Sequence, residues 1–207
     1  MKFSFRKSYH EYSDEKLLQK IQQSDTAAFD ELYQRYSQRL LFYFLRMLGN
    51  NQEKAEDFLQ DLFVKVIDKS DLFRANARFS TWIFTIAHNM CKNEYRRMDV
   101  RKILDYDRDL DSISENPGEG HSSIESKMDN DRLKALIAAA LENMDDNQRS
   151  TFVLRFQENL SVREISDILG CSEGTTKSRL FYVTKKLAKK FKAFDPKIHE
   201  DISHALK

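Results

Sequence analysis

The stretch LSVREISDILGCSEGTTKSRLFYVTKKLAKK, Leu160 to Lys190, decides the fold. It reads as two short helices joined by a tight turn. Ser161 with Glu164 three residues on forms a capping box, in which a hydroxyl and a carboxylate satisfy the free amides at a helix start. Val162, Ile165, Ile168 and Leu169 then recur at helical spacing and give one apolar face. Gly170 can take the left-handed conformation that ends a helix, Ser172 can cap the next one, and Ser166 is small enough to let two helices cross closely. The second helix keeps Leu180, Val183, Leu187 and Phe191 for a core. It turns Lys177, Ser178, Arg179, Tyr182, Lys185, Lys186, Lys189 and Lys190 outward. A basic helix of this kind suits the major groove of DNA, so the pair is a candidate helix-turn-helix. The alternative is an ordinary helical hairpin with a solvated basic face.

Working outward, helix-period apolar spacing runs through most of the 207 residues, and five glycines and two prolines leave little turn chemistry for strands. The expected fold is all-α, with two small domains. A short helix starts at Ser13 or Asp14 and uses Leu17, Leu18 and Ile21. Asp25 caps a long helix whose stripe is Phe29, Leu32, Tyr33, Tyr36, Leu40, Phe44, Met47 and Leu48, ended by Gly49 and Asn50. Asn51 caps the next, with Ala55, Phe58, Leu59, Leu62, Phe63, Val66 and Ile67 on its apolar face and Asp57, Gln60, Asp61 and Lys65 elsewhere. A loop, KSDLFRANARF, leads to Ser80 as the cap of a helix holding Trp82, Ile83, Ile86, Ala87, Met90 and Cys91. Its other positions are polar or basic: Thr85, His88, Asn89, Lys92, Asn93, Arg96 and Arg97.

From Asp99 to Lys127 the pattern dissolves around Pro117, Gly118 and Gly120, which predicts a flexible acidic linker between domains at 13–98 and 128–192. As a coil its 29 residues would reach roughly 30 Å, close to one turn of B-DNA at roughly 34 Å. In the second block Leu133, Leu136, Ile137, Ala140, Leu141 and Met144 start a helix, and Asp146 or its neighbour caps another with Phe152, Val153 and Phe156. After Lys192, Ile198, Ile202 and Leu206 recur at steps of four, as in a short amphipathic helix in the tail, 193–207.

The net charge of +1 hides an asymmetry. Lys92–Lys102 and Glu173–Lys192 are basic, and the connector Asp105–Asp131 is acidic. Cys91 and Cys171 have no metal-ligand spacing and no disulfide company, so a reducing cytoplasm is expected, with no metal and no cofactor. No apolar run approaches a membrane span of about 18 residues, and the N-terminus has no signal-peptide core.

Three segments in order resemble the sigma-70 family of transcription initiation factors, in its small two-domain extracytoplasmic-function (ECF) group. AEDFLQDLFVKVI (Ala55–Ile67) resembles the family's polymerase-docking helix. FSTWIFTIAHNMCKNEYRR (Phe79–Arg97) resembles the segment that melts and reads the −10 promoter element, and ENLSVREISDILGCSEGTTKSRL (Glu158–Leu180) the domain that reads the −35 element. The resemblance implies core RNA polymerase (its β′ clamp helices and β flap), promoter DNA and an anti-sigma factor as partners.

It also implies roles for particular residues. Asp57, Gln60, Asp61 and Lys65 would meet polymerase. The first three share a face at spacings of three and four, which a solvated acidic face would also do. Phe73, Arg74, Asn76, Arg78, Thr85, His88, Asn89, Lys92, Arg96 and Arg97 would act on the −10 element. In that group Asn76 can bond a base edge and the basic residues can neutralise phosphates. Trp82 suits the core better than a stacking role. Thr175, Lys177, Ser178, Arg179, Phe181, Tyr182 and Lys185 would serve the −35 duplex. Phe181 fits equally well packed against the preceding helix. Relatives often carry basic residues where this chain has Tyr182 and Thr184, so its promoter should differ.

A stand-alone helix-turn-helix regulator is the alternative function, though such a regulator needs neither the acidic face nor the Phe79–Arg97 segment. An enzyme is disfavoured, because the sequence holds no nucleophile-base grouping, phosphate-binding glycine loop or metal-spaced cluster. Two arrangements would hide the polymerase-binding surfaces: cover by an anti-sigma factor, or the two domains closed on each other.

Overall fold

A computed structural model describes residues 9–74, 77–106, 137, 139–141 and 143–191, and every regular element among them is helical. Helix α1 (Asp14–Ile21) starts on Ser13, whose hydroxyl accepts from the Lys16 amide. Helix α2 (Thr26–Met47) starts on Asp25 and α3 (Gln52–Asp68) on Asn51, each side chain closing onto the amide three residues on, as the capping rules predict. Between α2 and α3, Gly49 and Asn50 hold φ of 67° and 57°, the left-handed geometry that turns the chain. A 3-10 turn (Ser70–Leu72) follows α3.

Helix α4 runs from Phe79 to Tyr106, and both ends depart from the sequence reading. Ser80 lies inside the first turn instead of capping it. The leading amide, Phe79 N–H, donates to Glu15 of α1 at 3.1 Å, so a carboxylate from another helix does the capping. Burial raises the Glu15 pKa, but that amide, its own backbone, Ser13 and Arg78 outweigh it and leave the carboxyl below its usual range. At the far end the first residues of the expected linker, 99–106, continue the helix. Residues 107–136 and the tail from 192 lie outside the described residues, as do Leu133 and Leu136.

In the second block Asp145 caps α5 (Asp146–Phe152), which widens into a π-helical turn (Val153–Gln157). Helix α6 (Val162–Leu169) has the full capping box of Ser161 and Glu164 and ends on Gly170 at φ 61°. Helix α7 (Glu173–Phe191) begins where Ser172 Oγ accepts from the Thr175 amide at 3.1 Å. Ser166 does more than allow a close crossing: its buried hydroxyl meets Thr176 Oγ1 at 2.9 Å, pinning α6 to α7.

The core follows the stripes with informative exceptions. Leu32, Tyr36, Leu40, Phe44 and Met47 are buried, as are Ala55, Leu59, Leu62, Phe63 and Val66. Tyr33 and Ile67 are exposed instead, Tyr33 lying against the Phe63 ring at 4.7 Å. Tyr43 and Phe84, outside the expected stripes, are fully buried because α2 and α4 meet helices on more than one side. One apolar cluster contains both these first-block residues and Val153, Leu154, Leu160, Ile165 and Ile168 of the second block. A smaller cluster of Ala140, Leu141, Met144, Val183 and Leu187, with Phe152 of α5 packed against it, joins α7 to the residues just before α5. The two blocks are thus closed on each other, with α6 laid against α4. Among the described residues no helix is long and apolar enough to cross a membrane.

Gly170→Ala tests the turn between α6 and α7. An added Cβ meets nothing within 4 Å, so backbone strain at positive φ alone should cost about 1–2 kcal/mol in urea unfolding. A neutral outcome would remove the conformational requirement.

Candidate nucleic-acid and polymerase interface

Helix α3 presents Asp57, Gln60 and Asp61 to solvent, while Lys65 is half-buried. Val64 (56% exposed) and Ile67 (48%) lie beside them, followed by Leu72 (71%) in the 3-10 turn. The sequence reading placed Ile67 in the core and passed over Val64. The available signal was register: Val64 falls three and four residues after Asp61 and Gln60, on the same helical face. An acidic rim around exposed aliphatic side chains is a surface with something to gain from a partner.

Along α4, Asn89, Lys92, Arg96 and Arg97 are exposed, and Arg97 lies 3.9 Å from Glu94. Thr85 is half-buried, its hydroxyl donating to the Thr81 carbonyl at 2.7 Å. Arg74 is exposed, and Asn76 lies outside the described residues. Phe73 packs its ring against Phe79 at 6.3 Å and Trp82 at 5.5 Å, which makes it a core-edge residue here. Trp82 is half-buried in the same aromatic group.

His88 corrects the sequence reading. It is buried at 6% exposure, where a polar surface position was expected. Its Nδ1 is 3.1 Å from Ser150 Oγ, and Ser150 Oγ is 2.8 Å from the Tyr43 hydroxyl. Tyr43 comes from α2, His88 from α4 and Ser150 from α5, so this small polar cluster joins the blocks. Burial drives the His88 pKa from 6.5 down to about 4, with Lys92 and Arg179 adding to the effect. The imidazole is therefore neutral at pH 7.

A second contact joins the blocks. Arg39 Nε donates to the Glu158 carboxylate at 2.8 Å, and the guanidinium lies over the rings of Tyr36 and Phe84 at 5.0 and 5.7 Å. Glu158 is almost fully enclosed, and burial raises its pKa against the opposing pull of Arg39. A third contact pairs Arg78 with Glu164 at 2.9 Å across the mouth of a cleft of about 550 Å³. Arg78, Thr81, Trp82 and Thr85 form one wall, and Arg163, Glu164 and Asp167 of α6 the other. None of the Tyr43, Ser150, Arg39 and Glu158 contacts was anticipated. Nothing local in the sequence signals them, since Arg39 and Glu158 are 119 positions apart.

On α7, Thr175, Lys177, Ser178, Phe181, Tyr182 and Lys185 are all exposed. Phe181 and Tyr182 meet edge to face at 5.6 Å, and the Lys185 ammonium lies 5.8 Å from the Phe181 ring centre. Phe181 is thus an exposed side chain and not part of the core between α6 and α7. Arg179 is half-buried, with one guanidinium nitrogen 3.6 Å from Cys171 Sγ, and so is less available to phosphates than expected. Both cysteines are free.

Comparison with known proteins matches residues 32–101 to the family description "Sigma-70 region 2" and residues 134–187 to "Sigma-70, region 4". The RNA polymerase sigma-H factor of Pseudomonas aeruginosa is 28% identical over 193 residues, covering 90% of this chain and 96% of that protein. The ECF RNA polymerase sigma-E factor of Escherichia coli K12 is 29% identical over 175 residues, covering 82% and 89%. Two solved structures share the fold. One is CnrH in complex with the cytosolic domain of CnrY (TM-score 0.64, 22% identity, 88% of this chain and 99% of that one). The other is the sigma factor RpoE of Bartonella quintana in complex with the anti-sigma factor NepR (TM-score 0.62, 24% identity, 81% and 98%). The chain belongs to the sigma-70 family of RNA polymerase sigma factors, in its two-domain ECF group.

The His88 geometry has a pH consequence. A folded-state pKa below the ordinary value means the unfolded chain binds the proton first. The stability contribution is therefore complete above pH 6.5 and is lost as pH falls from 6.5 towards 4. Relative to His88→Gln, the wild type should lose on the order of 2–3 kcal/mol between pH 7 and pH 4 in urea unfolding. A pH-independent difference would mean that His88 titrates as an exposed residue.

Proposed function

We propose that this chain is a transcription initiation factor that binds core RNA polymerase and directs it to particular promoters. The observation that carries this reading is one chain bearing three distinct surfaces, each suited to a different part of the task. The α3 face, with Asp57, Gln60 and Asp61 around Val64, offers carboxylates and a small apolar contact to a basic partner such as the clamp helices of polymerase; Lys65 borders it. Lys92, Arg96, Arg97 and Asn89 on α4, with Arg74, Arg78 and Thr85 nearby, give single-stranded −10 DNA a run of cations and hydrogen-bonding groups. Asn76 and His88 belong to this group by resemblance, and His88 would have to leave its buried site to take part.

The exposed face of α7 reads the −35 duplex. Thr175, Lys177 and Ser178 supply donors at the helix start, and Lys185 adds a phosphate contact. Phe181 and Tyr182 put aromatic surface on this face, Tyr182 at a position where relatives often carry a basic residue. That favours contact with thymine methyl groups and the sugar edge over guanine recognition. The domains are 13–98 and 128–192, with α4 running on to Tyr106 before the acidic linker that joins them. Of the two similar solved structures, RpoE of Bartonella quintana is held by an anti-sigma factor and CnrH by the cytosolic domain of CnrY, which supports an anti-sigma partner here, as does the exposed α3 face. The factor catalyses nothing by itself and works in the cytoplasm, at the nucleoid when polymerase-bound.

Co-elution with core polymerase tests the assignment directly. Asp61→Lys together with Val64→Arg should abolish the complex while leaving helical content unchanged; an intact complex would move the docking site elsewhere. Lys92→Ala should lower the slope of log affinity against log salt for promoter DNA by about one. An unchanged slope would take Lys92 off the phosphates. Tyr182→Ala should redistribute promoter choice in transcript sequencing more than it lowers total output.

A further inference from the structure

The cleft between α4 and α6 holds polar groups that the fold itself does not use. Arg163 and Asp167 stand four residues apart on one face of α6, a spacing at which opposite charges commonly pair. Neither makes an ion pair or a hydrogen bond with any described residue. On the α4 wall the Trp82 indole N–H and the Thr81 hydroxyl likewise have no hydrogen-bond partner among the described residues. Trp82 is fixed by the rings of Phe73 at 5.5 Å and Phe79 at 5.9 Å, so it offers the cleft a rigid aromatic surface. At the mouth Arg78 gives one nitrogen to Glu164 and keeps its other N–H donors. Two guanidinium groups, a carboxylate, an aromatic ring and two neutral hydrogen-bonding groups thus line one space of about 550 Å³, inside the roughly 300–1,000 Å³ of small-molecule sites. Each is at least partly exposed, so water satisfies it in the free chain and a ligand would have only that water to displace.

We propose that this cleft binds a guanine nucleotide. A planar base can lie against Trp82. Asp167 then decides which base: a carboxylate only accepts, and guanine sets its N1–H and its exocyclic amine side by side, so both can donate to one carboxylate. Adenine and cytosine place an acceptor nitrogen beside their amine, and uracil and thymine flank their N–H with carbonyls. Each of these would press a lone pair against Asp167, a repulsion that rejects it. Arg163 and the remaining donors of Arg78 supply planar, permanently charged forks for the phosphates. A zwitterionic amino acid would also satisfy Arg163 and Asp167, but it would leave Trp82 and most of the volume unused. The site does not rest on the promoter-reading role of α4, although Arg78 and Thr85 belong to both. Because α4 supplies one wall and α6 the other, the bound nucleotide bridges the two blocks.

Trp82 is the only tryptophan of the chain, so its fluorescence reports on this cleft alone. The full chain is titrated with GDP, ADP and glutamate, following Trp82 emission and, in parallel, heat by calorimetry. GDP should quench the emission and saturate below about 1 mM, with ADP at least about tenfold weaker, the discrimination a good bidentate base contact provides. Asp167→Asn should weaken GDP by about tenfold or more and strengthen xanthosine diphosphate. Xanthine carries a carbonyl where guanine carries its amine, and the asparagine amide can donate to it. Arg163→Ala should reduce the preference for GDP over guanosine. Both substituted residues are exposed, so the fold is kept, with far-UV circular dichroism as the check. No response to GDP overturns the proposal, and heat without a change in Trp82 emission overturns it by placing the nucleotide elsewhere. Equal affinity for GDP and ADP, or an Asp167→Asn variant that loses GDP without gaining xanthosine diphosphate, removes Asp167 as the reader of the base. A response to glutamate in place of GDP makes the cleft an amino-acid site and overturns the nucleotide assignment.

Discussion

The contact on which this arrangement depends is the burial of Ser150 between Tyr43 and His88. Each of these three polar side chains would carry a desolvation penalty alone, and together they satisfy one another. That requirement fixes register: α2, α4 and α5 must approach so that one hydroxyl reaches both a phenol and an imidazole nitrogen. Around it the apolar cluster closes, taking Val153, Leu154, Ile165 and Ile168 from the second block into the core of the first. The neutral state of His88 follows from the same burial, because a charged imidazole in that position would have no anionic partner to offset its lost hydration.

The ion pair of Arg39 and Glu158 adds specificity more than net stability. A buried pair recovers roughly what its desolvation costs, whereas removing one member leaves a stranded charge. Arg39 is further positioned by the rings of Tyr36 and Phe84, which hold the planar guanidinium where only a carboxylate at Glu158 answers it. Such contacts suit a joint between two separately folded faces. Their energy is conditional on both partners being present, and the groups they release on opening are soluble.

Much of the local architecture was legible because local physics sets it. The caps Ser13, Asp25, Asn51, Ser161 and Ser172, the Gly170 turn and most positions of the apolar stripes act within a few residues, and they came out as read. The outer face of α7 and the acidic face of α3 were legible for the same reason, since helical period alone decides which residues point together. The misreadings have a common cause. Ser80 was displaced as a cap by Glu15 of another helix, Ile67 and Tyr33 were left without a covering element, and His88 was buried by one. In each case the presence or the absence of a partner distant in the chain outweighed the local pattern.

The sequence by itself therefore determined the helices, their ends apart from those of α4, the helix-turn-helix and the family, because capping, turn geometry and hydrophobic period are short-range. Only the tertiary structure decided which of the chain's candidate surfaces lie open. Whether His88 meets solvent or Ser150, and whether Arg78 meets a phosphate or Glu164, depends on residues 62 and 86 positions away. No periodicity encodes a contact between two blocks joined by a linker; it arises when apolar faces that each block leaves uncovered find one another.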